Sequence, residues 1–304
     1  MKMIPRKLRI LAAAAVATLA VTSLCGCAAG AGAAASGAGS TGGGGVSTSS
    51  GGGGTSAFPF PGGVGVSPDF GGTQGVATDP GSNIYISSNQ ELTAYDPNFH
   101  QLWNNTNPFP GKEEQVTHFG DIEYANGYVY APIEAWNNCS DFAPVLLGVY
   151  DAGSGKLVTW SDITGDGHEG SAVAVNPATN QVVVSSYCPN ENGYTTLWIY
   201  DLNALTSNPP GSALTFTGMI TLSAPIATIQ GISWNPGANN FLISGDVDGN
   251  AGSLWVASLQ GAVTGPVYVV PSFVGNELEG VDALSGTLYY LESGYVYGVG
   301  SLTA

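Results

Sequence analysis

Beyond Phe58 no stretch of the chain holds apolar residues at helical spacing. Short runs rich in Val, Ile, Tyr and Trp recur instead, some alternating with polar residues and some unbroken, and each is bounded by Gly, Pro or Asn. Alternation fits a strand with one buried face, and a short unbroken run fits a strand buried on both. Residues 58–304 are therefore expected to fold as one all-β domain, long enough for a substantial core.

The runs repeat as a unit. A first strand begins at Gln74-Gly75-Val76, Asp121-Ile122, Ala172-Val173, Gln230-Gly231-Ile232 and Glu279-Gly280-Val281, at intervals of roughly 50 residues. Each is followed by a turn and a second strand, at Ile84 to Ser87, Val129 to Pro132, Val182 to Ser185, Phe241 to Ser244 and Leu288 to Leu291. A third strand ends in Tyr95-Asp96, Tyr150-Asp151 and Tyr200-Asp201, with Val256-Ala257-Ser258 in the fourth repeat. Outer strands are expected around Leu102-Trp103, Leu157 to Trp160, Leu214 to Thr217 and Val267 to Val270. The fifth repeat runs out of chain, and Val64 to Ser67 can supply its missing strand. Four antiparallel strands per unit predict a β-propeller of five four-stranded blades; splitting residues 103–117 or 202–228 would make six. A β-sandwich would not repeat one four-strand unit with the same punctuation. The polar residue before Gly-Val or Gly-Ile, the Ile-Tyr strand and the Tyr-Asp ending resemble the propeller group that includes NHL-type, gluconolactonase-like and olfactomedin-like domains. That resemblance covers residues 74 to 300 and implies a fold without a function.

The first residues form a different segment. Lys2, Arg6, Lys7 and Arg9 precede an apolar run from Ile10 to Leu24, about 15 residues and so shorter than a membrane span of about 20. This is the layout of an export signal. Leu24-Cys25-Gly26-Cys27 resembles the bacterial lipobox, which implies a signal peptide over 1–26, cleavage before Cys27 and lipidation of Cys27. Ala28 after that cysteine implies outer-membrane sorting in a Gram-negative cell. Cleavage in the Ala-rich stretch that follows would instead release a secreted protein. Residues 27–57, almost all Gly, Ala, Ser and Thr, read as a flexible tether with a reach of about 30 Å.

Loss of the leader leaves Lys112 and Lys156 as the only strong cations against 22 acidic residues. Two lysines build no basic patch, which excludes nucleic-acid binding and attraction to anionic lipid; membrane contact is left to the lipid anchor alone. The acidic balance fits cation binding, repulsion of anionic neighbours or an acidic medium.

In a propeller the connections between blades and the turns between second and third strands open on one face, around the channel mouth. Gln74, His118, Asp121, His168, Glu169, Gln230, Glu277 and Glu279 from the first set would share a rim with Asn89, Glu134, Asp246, Asp248 and Glu292 from the second. Asp121, Glu134, Glu169 and Glu279 are the candidate oxygen ligands for Ca2+, favoured over zinc because carboxylates outnumber imidazoles. His118, His168, Glu169 and Glu279 are the candidate catalytic groups. The plainer alternative is that these residues hydrogen-bond loops around a water-filled channel. Asp162 to Gly167 and Asp246 to Asn250 carry acids and glycines like calcium loops, but their spacing fits tight turns better. Cys139 and Cys188 fall in the same loop type of adjacent blades, a plausible disulfide in an oxidising compartment; two separate thiols are the alternative.

Thr73-Gln74-Gly75 and Asn276-Glu277-Leu278-Glu279 are similar to two signatures of plant-type glutaminyl cyclases, while the signatures expected between them are absent. The sequence as a whole favours a lipid-tethered binding module that presents an acidic face to a protein or glycan. Its rival is a metal-dependent hydrolase or lactonase at the channel mouth.

Overall fold

A computed structural model describes residues 64–299 apart from 72, 110, 112–114, 137–138, 140–142, 167, 189–194, 248–250, 270–277 and 285–286. The chain divides into units Met1–Gly53 and Gly54–Ala304, and every described residue belongs to the second. The export segment, Cys27 and the tether lie outside the described residues.

The second unit is a five-bladed β-propeller. Its chain enters through β1 (Val64–Val66), which belongs to the last blade. Blade 1 is β2 (Thr73–Thr78), β3 (Ile84–Ser88), β4 (Leu92–Tyr95) and β5 (Gln101–Asn105). Blade 2 has a broken inner strand, β6 (His118–Phe119) and β7 (Glu123–Ala125), then β8 (Tyr128–Glu134), β9 (Val145–Asp151) and β10 (Leu157–Asp162). Blade 3 contains β11 (Ala172–Asn176), β12 (Gln181–Ser185) and β13 (Thr196–Asp201). Its outer strand is β15 (Phe216–Thr221), reached through a short helix α1 (Leu202–Ser207) and β14 (Ser212–Ala213), which joins the sheet of blade 2. Blade 4 is β16 (Ile229–Asn235), β17 (Asn240–Val247), β18 (Ala251–Ser258) and β19 (Val263–Val269). Blade 5 is β20 (Leu278–Leu284), β21 (Thr287–Glu292) and β22 (Tyr295–Val299), completed by β1 antiparallel to β22.

Residues 202–228 hold no additional blade: α1, β14 and β15 fill that stretch, and β14 pairs parallel with β10, covering the outer edge of blade 2. The outer strand of blade 3 runs further along the chain than its sequence pattern indicates, because α1 and β14 take up the residues before it.

The turn chemistry follows from side chains that cap their own backbone. Asp79 accepts the N–H of Asn83 at 2.9 Å, and Asn176 accepts that of Ala178 at 3.1 Å, so the Asp-Pro and Asn-Pro steps close the turns after first strands. At the ends of third strands Asp96 accepts from His100 N at 2.9 Å, and Asp201 caps α1 by accepting from Ala204 N at 2.7 Å. The tyrosines of the same Tyr-Asp pairs turn inward, with Tyr150 and Tyr200 fully buried.

The core lies between blades. Five apolar clusters each join two neighbouring blades: Tyr85 with Ile122 and Val129, Leu147 with Val184, Val183 with Ile243, Leu242 with Tyr290, and Ile86 with Leu291. Val182 and Val184 face one neighbour of blade 3 while Val183 faces the other. A strand buried on both faces needs apolar residues at successive positions, which explains the unbroken runs.

On the axis the structure departs from the expected rim. Taking Val76, Ile122, Val173, Ile232 and Val281 as equivalent, the residue before each is Gly75, Asp121, Ala172, Gly231 and Gly280. Asp121 is fully buried there. Its carboxylate accepts the backbone N–H groups of Val76 at 2.9 Å, Ile232 at 3.2 Å and Val281 at 3.2 Å, and its own neighbour Ile122 adds a fourth. The fifth equivalent N–H, of Val173, reaches the Asp121 carbonyl at 3.3 Å. A Cβ on Gly231 or Gly280 would meet an Asp121 carboxylate oxygen at 2.6 Å, and one on Gly75 would meet its Cα at 2.4 Å. Asp121 thus fills the axis, and its oxygens are committed to amides.

Asp121→Gly should strip an acceptor from at least three buried N–H groups, each costing about 1–3 kcal/mol when left unsatisfied. Urea denaturation should show a loss of about 3 kcal/mol or more, with added formate restoring part of it by occupying the vacated position. An unchanged midpoint would show that the axis does not depend on this carboxylate.

Candidate functional site

Directly above Asp121 lies a cavity of about 370 Å³ to which all five blades contribute. Its lining includes the residues two before each anchor position: Gln74, Gly120, Ser171, Gln230 and Glu279. Three of these are placed by the same local device. The ladder of blade 1 passes from Thr73 opposite Ser88 to Gly75 opposite Ser87, leaving Gln74 as the extra residue of a β-bulge. Blades 4 and 5 repeat it between Ile229 and Gly231 and between Leu278 and Gly280, so Gln230 and Glu279 are the bulged residues there. A bulge re-aims the side chain of its extra residue, and here each one lines the cavity.

The blade 2 and 3 side of the cavity is built from an imidazole, two carboxyls and two aromatic rings. His118 enters through β6, paired opposite Glu134 of β8. Gln74 Nε2 donates to Thr73 O at 3.1 Å, which leaves its Oε1 facing His118 Nε2 at 2.6 Å; an amide oxygen only accepts, so Nε2 carries the proton. His118 Nδ1 faces Glu134 Oε1 at 3.6 Å. The His118 ring lies 5.7 Å from that of Trp136, which meets Tyr187 edge-on at 5.6 Å. Trp136 and Tyr187 stand close in sequence to Cys139 and Cys188, which are joined by a disulfide linking the two loops that carry the rings.

Glu134 and Glu169 form a buried pair. Glu134 Oε2 accepts from Gly170 N at 3.1 Å, while Glu169 Oε2 accepts from Cys188 N at 2.7 Å and from Ser186 Oγ at 3.0 Å. Burial pushes Glu134 up to about 8, against the pull of the Gly170 N–H and of a hydrogen bond with Glu169. Burial also pushes Glu169 up to about 8, and the neighbouring Glu134 charge adds to it. The two carboxyls titrate as a pair that holds on to a proton.

Several rim candidates go elsewhere. His168 is buried in the wall, stacked on Trp198 at 4.0 Å, its Nδ1 donating to Glu169 O at 2.8 Å and its Nε2 against Tyr200 Oη at 2.7 Å. It is a packing residue in the blade 3 wall and not a base at the mouth. Asp121 lies below the cavity, and burial pushes its carboxyl well above the usual range against the pull of the amides. Glu292 is buried in β21 and does not line the cavity. Glu277 and Asp248 lie outside the described residues, as does the side chain of Asp246.

The four candidate calcium ligands are placed differently from one another. Asp121 is saturated by N–H donors, Glu134 and Glu169 are tied to backbone and to each other, and only Glu169 and Glu279 of the four line the cavity. Among the described residues no group of three or more His, Cys, Asp or Glu side chains is placed to hold a metal ion. In the run from Asp162, that residue accepts from Thr164 N at 2.8 Å, a turn-closing bond, while Asp166 accepts from Tyr200 Oη of β13 at 2.8 Å.

Two further acids are missed by sequence reasoning altogether. Glu123 accepts from Trp234 N at 3.0 Å, and Asp282 accepts from Thr78 Oγ1 and from Ser233 Oγ at 3.1 Å, both buried and both raised by burial. They cross-link inner strands of blades 1, 2, 4 and 5, and an acid inside a strand pattern gives no sign of that role. Trp136 and Tyr187 are also missed; their closeness to the two cysteines is the signal that marks them.

No family model and no curated protein matches the chain. Among solved structures, a protein of unknown function from Bacteroides thetaiotaomicron VPI-5482 is similar with a TM-score of 0.49 and 10% identity, over 76% of this chain and 70% of that one. A protein of unknown function from Bacteroides caccae gives 0.42 and 11%, over 72% and 69%. A chain of the mitotic checkpoint complex gives 0.39 and 10% over 74% of this chain, which spans 61% of that one.

The Glu134 and Glu169 pair sets the sign of a pH effect. Folding raises both from 4.5 to about 8, so the folded protein keeps protons that the unfolded chain releases between these values. This contribution to stability is complete below about pH 4.5 and is lost as pH rises through 8. Urea midpoints should therefore climb from pH 9 to pH 5, and Glu134→Gln with Glu169→Gln should flatten that slope. A midpoint that falls toward pH 5 would contradict the assignment.

Proposed function

We propose that this chain is an exported, lipid-anchored propeller that binds a neutral sugar unit of a glycan in the cup at its channel mouth. The observation that carries this reading is the set of three bulges that turn Gln74, Gln230 and Glu279 into one cavity facing Trp136 and Tyr187. Carboxamides and carboxyls that donate and accept in a plane suit the paired hydroxyls of a pyranose, and aromatic rings suit its C–H face. Among the described lining residues there is no lysine or arginine, which disfavours anionic ligands. A volume of about 370 Å³ is at the lower end for ligand sites and fits one or two sugar rings.

We put binding before hydrolysis on the placement of two of the four candidate catalytic groups, while His118 and Glu279 remain on the lining. Glu169 is held by Cys188 N, Ser186 Oγ and Glu134, and His168 sits behind the wall. The order of basic residues, apolar run and Cys27 supports export and anchoring, with the tether entering the propeller upstream of β1.

Calorimetric titration with a panel of neutral oligosaccharides should find a ligand, and Trp136→Ala or Gln230→Ala should weaken it about tenfold or more with an unchanged denaturation midpoint. Failure of every neutral glycan to bind, or full affinity in Trp136→Ala, overturns the reading. For the anchor, Cys27→Ser should leave unprocessed precursor and remove palmitate labelling; normal processing and release would point to a secreted protein.

A further inference from the structure

Beside the cup, between blades 1 and 2, lies a second cavity of about 60 Å³. Phe109, Val116, Phe119 and Ile133 give it a buried apolar floor. Asn89 and His118 line both this crevice and the cup, so the two spaces share a border. The border is held in place by the backbone: Phe119 N donates to Asn89 O at 3.1 Å, tying the turn after β3 to β6. The polar atoms of the His118 ring are directed to Gln74 and Glu134, which leaves the Asn89 carboxamide as the hydrogen-bonding group at the crossing.

We infer that the cup selects a sugar carrying an N-acetyl group, with the acetyl methyl in the crevice and the amide link beside Asn89. This rests on the sugar-binding reading above. At about 60 Å³ the crevice is much smaller than the cup and has room for a short apolar group such as the acetyl methyl. The apolar floor gives the charge of a free amino group no partner, so the unacetylated amino sugar gains nothing from the crevice. A plain hydroxyl leaves the floor empty and forgoes the burial of the methyl.

The experiment compares methyl glycosides of N-acetylglucosamine, glucosamine and glucose by calorimetry on the intact protein. The acetylated sugar should bind about tenfold more tightly than glucose, with glucosamine no better than glucose. Thr106 lines the crevice and not the cup, and it is exposed, so Thr106→Trp should close the crevice without disturbing the fold. That variant should bring N-acetylglucosamine down to the affinity of glucose and leave glucose itself unchanged. Equal affinities for acetylated and plain sugars in the unmodified protein, or an acetyl preference that survives Thr106→Trp, overturns this inference while the sugar reading stands. No binding by any of the three, nor by other neutral sugars, removes both.

Discussion

Everything in this propeller is organised by the gathering of inner-strand amides on Asp121. Five strands that start around one axis each present an N–H toward it, and no sheet partner exists there to accept them. One carboxylate takes those of Val76, Ile122, Ile232 and Val281, and its own carbonyl takes that of Val173. An acceptor at the centre leaves no room for Cβ atoms at 75, 231 and 280, so those positions are glycine. Each of those glycines in turn follows a bulged residue, and the bulged residues make the cup. The centre of the fold and the lining of the site are one construction.

The interior treats its acids consistently. Asp121, Glu123, Glu134, Glu169 and Asp282 are all buried, and among the described residues they meet amides, hydroxyls and neighbouring carboxyls, with the His118 ring beside Glu134. With two lysines and no arginine after residue 26, these buried acids are met by hydrogen bonds to backbone and hydroxyl groups. Hydrogen bonds to backbone groups are short-ranged and little affected by salt, whereas the acidic surface repels itself and is screened by it. Ionic strength therefore acts on the outside of this protein much more than on its inside.

Much of the architecture is legible before any coordinates. Repeated runs give the blades, Asp79, Asn176 and Asp201 announce the turns they cap, and Val64 to Val66 close the ring where the fifth repeat falls short. The rim is legible in part, since Gln74, Asn89, His118, Glu169, Gln230 and Glu279 do meet there. What failed is a matter of single-residue offsets. Asp121 stands one position after Gly120, and that step separates a lining residue from the axis below it. His168 stands one before Glu169 and points into a packed wall. Alternation along a strand reverses direction at every residue, so a loop that enters a strand cannot be assigned an orientation until its register is known.

The closing strand has a mechanical consequence. After β1 the chain continues along blade 5, with Ser67 N on Val296 O at 2.9 Å, Val296 N on Ser67 Oγ at 2.9 Å and Phe70 N on Gly294 O at 2.8 Å. Phe70 then packs on Tyr95 and Phe99 at 4.5 Å and 6.0 Å, gripping blade 1 as well. Tension applied upstream of Val64 is thus delivered to one seam, where a three-residue ladder takes the first load and an aromatic cluster the second. If the ladder slips, β22 gains a bare edge while the inner strands stay locked on their axis. The ring has a weak link at its circumference and a strong one at its hub.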